Sequence, residues 1–202
     1  MEQTSISNDG STLRMIVRGV EWVGNDFDGL EPSTTPDEHA GFTLNRGDLC
    51  ACELSFDIPI AVVDANGTTT AQLAVELRLG HPAPEGALSE IFLRLTLSWA
   101  DTQIAGSGSS GWFEDELLEI QQQLPATTYL RACINCQYSD YSPAGHMMFG
   151  DMMCLRSVKD AYLRARTKNE LWPVFKRSDG PVQETHVCDE FVRRIPGTGY
   201  RG

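Results

Sequence analysis

The stretch CACELSFDIPIAVVDANGTTTAQLAVELRL, residues 50–79, decides the fold. On both sides of its centre apolar side chains alternate with polar ones, as in strands that have one buried and one wet face. The centre itself reads Asp64-Ala65-Asn66-Gly67, and Asn-Gly readily adopts the positive φ values of a tight hairpin turn. The stretch therefore predicts two antiparallel strands joined by a hairpin.

The same alternation recurs at residues 13–18 and 91–99, which predicts further strands of this kind. One segment has helical spacing instead: its apolar side chains predict an amphipathic helix from Phe113 to Leu124, ended by Pro125. The sequence therefore predicts a mostly β fold. We expect an antiparallel β-sandwich or a β-rich α+β domain with one amphipathic helix.

The length of the chain allows one domain, or one domain with an appended subdomain. It has 202 residues and 41% hydrophobic residues, which is ordinary for a folded globular protein. We predict an antiparallel β domain with its helix over residues 1–126. Residues 127–202 are predicted to form a metal-binding C-terminal lobe that packs on that domain as one compact unit.

The six cysteines suit a reducing compartment. No segment approaches the roughly 18 consecutive apolar residues of a membrane helix, and residues 1–13 have neither the basic nor the apolar region of a secretory signal. We therefore expect a cytoplasmic protein, in which thiols stay reduced. Cysteines there are metal ligands or buried apolar side chains rather than disulfides.

Four of the cysteines predict a structural zinc site. Cys133 and Cys136 form a C-x-x-C pair, and Cys154 and Cys188 follow as single residues. Two thiolates at this spacing can reach one ion from a tight turn, and structural zinc takes four such ligands in a tetrahedron. One zinc ion bound by all four would hold together a loop-rich C-terminal lobe.

Other interpretations of these cysteines stay open. His146 or His186 could replace one cysteine as a ligand, or the thiols could be unliganded. A redox pair normally opens a helix, whereas the turn-rich run after Cys136 is a poor helix start. The common ferredoxin spacings of an iron–sulfur cluster are absent. Cys50 and Cys52 fall on the apolar face of a strand, where core packing is expected.

Four further side chains are candidates for a pocket beside the metal. Asp140, Tyr141 and His146 follow the cysteine pair, and His186 precedes Cys188 by two residues. A last strand is predicted over residues 182–192. Strand alternation would then direct His186 to the same face as the cysteine, as a ligand, a donor to a sulfur, or part of a pocket.

The segment CINCQYSDYSP, residues 133–143, resembles a family of uncharacterised bacterial proteins. The C-terminal parts of those proteins contain a similar C-x-x-C-x-x-S-D-Y-S-P run. A glycine-containing run that ends in a cysteine follows, and then a late cysteine. Cys154 and Cys188 would fill the last two places. The family has no known function, so the resemblance implies the four-cysteine grouping and no activity.

The charge of the chain is unevenly spread, with a formal net value of −12. Residues 1–155 contain 22 acidic and 6 basic side chains, whereas residues 156–202 contain 10 basic and 6 acidic ones. The acidic bulk argues against general nucleic-acid binding, because phosphate repels it. The basic end of the chain could neutralise the acidic domain or contact an acidic partner.

Three functions remain open from the sequence. The leading hypothesis is a non-enzymatic binding or accessory module with a protein partner, such as an immunity-type protein that masks a basic partner. The second is an enzyme of a specialised bacterial pathway, with a pocket beside the zinc lobe. The third is nucleic-acid binding through the basic C-terminal lobe. No oligomeric state is predicted.

Overall fold

A computed structural model of the protein describes residues 5–35 and 37–201. In this part the strands are β1 Ile6–Asn8, β2 Leu13–Val17, β3 Val20–Gly24, β4 Glu31–Pro32, β5 Thr43–Asn45, β6 Asp48–Cys50, β7 Cys52–Asp64, β8 Gly67–Leu79, β9 Ile91–Trp99, β10 Thr102–Ala105, β11 Tyr129–Leu130, β12 Ser139–Tyr141, β13 Met152–Cys154 and β14 Gly180–Val182. The α-helices are α1 Phe113–Gln123, α2 Lys159–Arg164 and α3 Lys168–Phe175. No helix among these residues is long and apolar enough to cross a membrane.

The predicted hairpin is the centre of the largest sheet. β7 and β8 pair along their whole length, from Cys52 opposite Leu79 to Asp64 opposite Gly67. Gly67 has a φ of 128°, which favours glycine at the end of this turn. The sheet has the order β10-β9-β8-β7-β11, and its neighbouring strands are antiparallel.

A second antiparallel sheet, with the order β1-β2-β3-β4, shares the hydrophobic core of the first. Trp22 of β3 is fully buried in the same cluster as Leu73 and Val75 of β8. Two small sheets, β5-β6 and β12-β13-β14, complete the strands of the described residues. The prediction of a mostly β fold with antiparallel sheets is confirmed.

The predicted amphipathic helix is confirmed as α1, and Leu124 is its C-cap. Phe113, Leu117 and Ile120 are fully buried in the main core, as their spacing predicts. The opposite edge of the helix holds the glycine-serine loop before it. The N–H of Ser107 donates to Glu119 at 2.7 Å, and the N–H of Gly108 donates to Glu116 at 2.9 Å.

The C-terminal part contributes to two hydrophobic clusters. Leu130, Ile134 and Met152 belong to the main core, and β11 pairs with β7. A second cluster lies under α2 and α3, with Leu155, Val158, Tyr162, Ala165, Leu171 and Val174 as its buried members. The division of the chain at residues 126 and 127 stays a prediction.

Gly106 should be required for the close approach of the loop to α1. A Cβ at this position would lie 2.1 Å from Oε2 of Glu116, and the buried carboxylate that must move also accepts the hydrogen bond from Gly108. We expect Gly106→Ala to lower the free energy of unfolding by about 1–3 kcal/mol. Urea denaturation measures this change.

Gly29→Ala is the matched control. A Cβ at Gly29 has its nearest neighbour 4.0 Å away, at Cβ of Asp26, so this exchange should change the free energy of unfolding little. Equal losses of stability in the two variants would contradict the steric explanation.

Candidate metal centre

Cys133 and Cys136 lie in a tight turn after β11. A single 3-10 turn covers Cys133–Asn135, and the N–H of Cys136 donates to the carbonyl of Cys133 at 3.0 Å. The hydroxyl of Ser139 donates to the carbonyl groups of both cysteines. Both cysteines are buried. The C-x-x-C segment is therefore fixed as a turn that brings its two side chains close together.

Cys154 and Cys188 share a local arrangement although they are far apart in sequence. Cys154 ends β13 opposite Ser139 of β12, and Cys188 lies in a segment of turns. In each case the main-chain N–H two residues further on donates to the sulfur, from Arg156 to Cys154 and from Glu190 to Cys188 at 3.3 Å. N–H donors of this kind stabilise a thiolate, which is the form that binds a metal.

Main-chain hydrogen bonds bring the late cysteine to the C-x-x-C turn. The N–H of Cys133 donates to the carbonyl of His186 at 3.0 Å, and the N–H of Ile134 donates to the carbonyl of Glu184 at 2.9 Å. The guanidinium of Arg131 donates to the carbonyl of Cys188 itself at 3.1 Å. These hydrogen bonds therefore hold the segment that contains Cys188 against the C-x-x-C turn.

The four sulfur atoms share one electrostatic neighbourhood. Burial raises the pKa of Cys133 far above its ordinary value, and negative charge on Cys136, Cys154 and Cys188 raises it further. Burial also raises the pKa of Cys154. The guanidinium of Arg156 lies 3.5 Å from the sulfur of Cys188, where its positive charge favours a thiolate.

The structure separates Cys50 and Cys52 from this group. Cys50 is buried at the end of β6 and its thiol donates to the carbonyl of Thr43 at 3.4 Å. Cys52 packs against the main core from β7, and burial raises its pKa to about 11. Core packing of both, as predicted, agrees with these positions.

The side chains as they stand do not form a metal site. Throughout residues 5–35 and 37–201, no group of three or more His, Cys, Asp or Glu side chains is arranged so that it could hold a metal ion. The structure thus shows the segments of the four cysteines joined by backbone hydrogen bonds, without a metal site formed by their side chains. The zinc ion and the zinc-bound lobe stay predictions.

His186 is not on a strand, and the predicted strand over residues 182–192 is wrong. β14 ends at Val182, and turns follow it, so strand alternation does not place the ring. The main chain of His186 receives the hydrogen bond from Cys133. Its ring faces Gly10, where a Cβ would lie 3.4 Å from Nδ1.

His146 and Tyr141 are brought together, with their ring centroids 4.0 Å apart and nearly parallel. Nε2 of His146 lies 3.1 Å from Glu114 of α1, and Nδ1 lies 3.0 Å from the carbonyl of Met147. Both ring nitrogens therefore have an oxygen atom of the protein within hydrogen-bonding distance. Arg201 completes this group with a bond to Glu114 at 2.5 Å.

Asp140 points away from that pair because neighbouring residues of a strand face opposite sides. Its carboxylate accepts from the hydroxyl of Tyr162 at 2.9 Å, in the smaller cluster under α2. Arg194 donates to the same hydroxyl at 3.2 Å. The acid is thus part of a buried structural network, and burial raises its pKa.

The four pocket candidates are therefore not assembled around one cleft. Tyr141 and His146 form one group, Asp140 a second, and His186 stands by itself of the four. A cleft of about 630 Å³ runs beside His186, between β1, the middle of β7 and residues 183–187, and none of the other three candidates lines it. The catalytic constellation expected for the enzyme hypothesis is not present in this form.

Glu184 is a functional candidate that the sequence did not reveal. Its carboxylate is fully buried and accepts from the hydroxyl of Tyr141 at 3.0 Å and from the N–H of Gly150 at 2.8 Å. Burial raises its pKa to about 7, although both hydrogen bonds and the charge of His146 oppose the shift. Nothing in the sequence distinguishes Glu184 from the other acids among the 28, because its burial depends on residues that are far away in the chain.

A family model of unknown function, DUF6304, matches residues 1–139. The chain belongs to this family. The matched region contains the β domain, α1 and the C-x-x-C turn with Cys133 and Cys136, and it ends before Cys154 and Cys188. A search of curated proteins and a search of solved structures found no match.

Glu184→Gln should change how stability depends on pH. In the wild type the folded state keeps a proton on Glu184 up to about pH 7, whereas an unfolded glutamate releases it near pH 4.3. Stability therefore falls as the pH rises between these values, by at most about 1.4 kcal/mol per pH unit, and levels off above. Gln removes this fall.

Glutamine can keep both hydrogen bonds at this position, since its oxygen can accept from Gly150 and its amide can donate to the hydroxyl of Tyr141. The measurement is urea denaturation of both proteins at pH 5 and pH 8. We expect the free energy of unfolding of the variant, relative to that of the wild type, to be higher at pH 8 than at pH 5. Glu76→Gln, at an exposed acid of β8, is the control for the lost charge. Parallel pH curves for wild type and Glu184→Gln would contradict the assignment.

Proposed function

We propose that this protein is a non-enzymatic binding module whose C-terminal lobe is held by one structural zinc ion. The observation that carries the proposal is that strand pairing and main-chain hydrogen bonds bring the segments of Cys154 and Cys188 to the C-x-x-C turn of Cys133 and Cys136. Four thiolates satisfy the tetrahedral preference of zinc. Hydrogen bonds of the main chain hold the C-x-x-C turn and the segment of Cys188 together, and metal binding would also require deprotonation of the thiols.

The chemistry of the group supports zinc over a redox pair. A redox C-x-x-C normally opens an α-helix, whose N-terminus lowers the pKa of the first thiol. Here the pair spans a 3-10 turn of three residues, and β12 follows it. Burial raises the pKa of Cys133 instead of lowering it, which suits a thiol that becomes a thiolate only when a metal ion displaces its proton.

A closed shell of four cysteines supports a structural role for the ion. A catalytic zinc keeps three protein ligands and leaves the fourth position to water or substrate. With four thiolates no such position exists. Arg156, beside two of the sulfurs, would offset part of the negative charge of a zinc ion with four thiolates.

Charge supports a protein partner for this module. The body of the protein is strongly acidic up to Leu155, and most of its carboxylates are exposed. Such a surface favours fast association with a basic protein surface, as in masking of a partner by an immunity-type protein.

Metal content tests the zinc proposal directly. Structural zinc in small peptides is bound with apparent free energies of about 10–16 kcal/mol, so the ion should survive purification. We expect about one zinc per chain in the wild type by elemental mass spectrometry. Cys154→Ser should lose most of it.

Cys52→Ser is the matched control, because this cysteine lies outside the group. It should hold as much zinc as the wild type. A wild type without zinc, or a Cys154→Ser variant with full zinc content, would overturn the proposal. Amide signals of α2 and α3 should broaden or shift in Cys154→Ser and stay unchanged in Cys52→Ser.

A further inference from the structure

Five exposed basic side chains of the helical hairpin α2–α3 and its C-terminal end have no salt bridge to any carboxylate in the described part of the chain. They are Lys159, Arg164, Lys168, Lys176 and Arg177. Two of the three acids in the same stretch are engaged locally. Glu170 caps α3, and Asp179 accepts from the N–H of Ser157. The hairpin therefore presents net positive charge on a protein that is otherwise acidic.

The other arginines of the C-terminal part are used differently. The guanidinium groups of four of them bind carbonyl or carboxylate oxygens of the protein itself, namely Arg156, Arg166, Arg194 and Arg201. The guanidinium of Arg193 lies over the ring of Tyr129. Of these, Arg201 binds Glu114 of α1, as expected if the basic end neutralises the acidic domain. Within the part of the chain that the structure describes, the five cations of the hairpin are not engaged in this way and are exposed to solvent.

An exposed aromatic side chain lies between two of these cations on α3. Lys168, Trp172 and Lys176 are spaced by four residues, so they lie along one face of α3. Trp172 keeps 45% of its surface exposed. The opposite face holds Leu171 and Val174, which are buried in the smaller cluster. The buried face thus holds α3 against the protein, and the outer face exposes a Lys–Trp–Lys stripe of Lys168, Trp172 and Lys176.

We infer that this face of α2–α3 binds a short acidic segment of a partner protein, with an apolar side chain of the segment seated on Trp172. The inference adds an acidic segment as a second contact, beside the basic surface expected to meet the acidic body, and rests on the binding function proposed above. Tryptophan is among the residues that dominate binding energy at interfaces. Lys168 and Lys176, on either side of Trp172, attract carboxylates and orient the acidic segment as it approaches.

The acidic body of the same protein favours a short segment over an extended anion. Charges at a surface act over about 8–10 Å at physiological salt. A nucleic acid or a charged membrane plane reaches further than the hairpin and would meet the acidic body, which repels phosphate. A short acidic peptide contacts the hairpin without crossing it. In a self-association, the basic hairpin of one copy would bind the acidic body of the next. Such head-to-tail contacts lead to rings or filaments rather than a closed dimer.

Fluorescence anisotropy with a labelled synthetic peptide tests the inference on the full-length protein. The peptide consists of glutamates around a central phenylalanine, and the competing probes are a labelled oligothymidylate and vesicles of anionic phospholipid. We expect the peptide to bind most tightly, with affinity that falls as salt is added. Tighter binding of the oligonucleotide or the vesicles would overturn the proposed partner, as would no binding of the peptide.

Variants at the stripe separate this surface from general charge effects. Trp172→Ala and Lys168→Glu should each raise the Kd by roughly tenfold, as expected for a central aromatic and a flanking charge. The controls are Trp112→Ala, at another exposed tryptophan, and Arg14→Glu, at an exposed arginine of β2. Equal losses in variants and controls would contradict a defined site.

Zinc content of the same samples distinguishes the two proposals. All four of these variants lie outside the cysteine group and should keep the metal content of the wild type. Zinc without peptide binding would refute the partner inference alone. Peptide binding without zinc would refute the structural zinc and leave the basic face in place.

Discussion

Two main-chain hydrogen bonds, from Cys133 to His186 and from Ile134 to Glu184, determine how the last part of the chain meets the β domain. They join a turn that follows the large sheet to a segment fifty residues further on. Because backbone groups make these bonds, they fix the course of the chain whatever the side chains do. The approach of the Cys188 segment to the C-x-x-C turn and the position of Glu184 both depend on this attachment, whereas Cys154 is placed by the pairing of β13 with β12.

The attachment also explains why the arginines near the C-terminus are distributed as they are. The guanidinium groups of Arg131, Arg194 and Arg201 donate to main-chain carbonyl groups where the two segments meet. The acceptors are the carbonyl groups of Cys188, Ser139 and Ile134. A turn-rich segment cannot satisfy its own backbone, so planar donors with several N–H groups serve it well. Charge in this region is therefore partly a structural requirement, and only the cations outside it are available for a partner.

The sequence predicted the β domain well because its signals are local. Alternation in β7 and β8 and the Asn-Gly turn between them depend on neighbours a few residues away, and the stripe in α1 is local in the same sense. His186 was misplaced because alternation presupposes a strand, and the chain after Val182 makes turns. Glu184, Tyr141 and Arg201 meet only through the tertiary fold, so no spacing in the sequence announces them.

The two hydrophobic clusters limit what a metal ion would change. The main core contains Trp22, Phe113 and the β7–β8 hairpin, a buried set large enough to hold the β domain by itself. The smaller cluster has six buried members and lies beyond Cys154. Cys154 precedes this cluster in the sequence and Cys188 follows it, so a zinc ion bound by both would stabilise this cluster before the main core. A zinc ion here would therefore determine the order of α2 and α3, and with it the surface that these helices present.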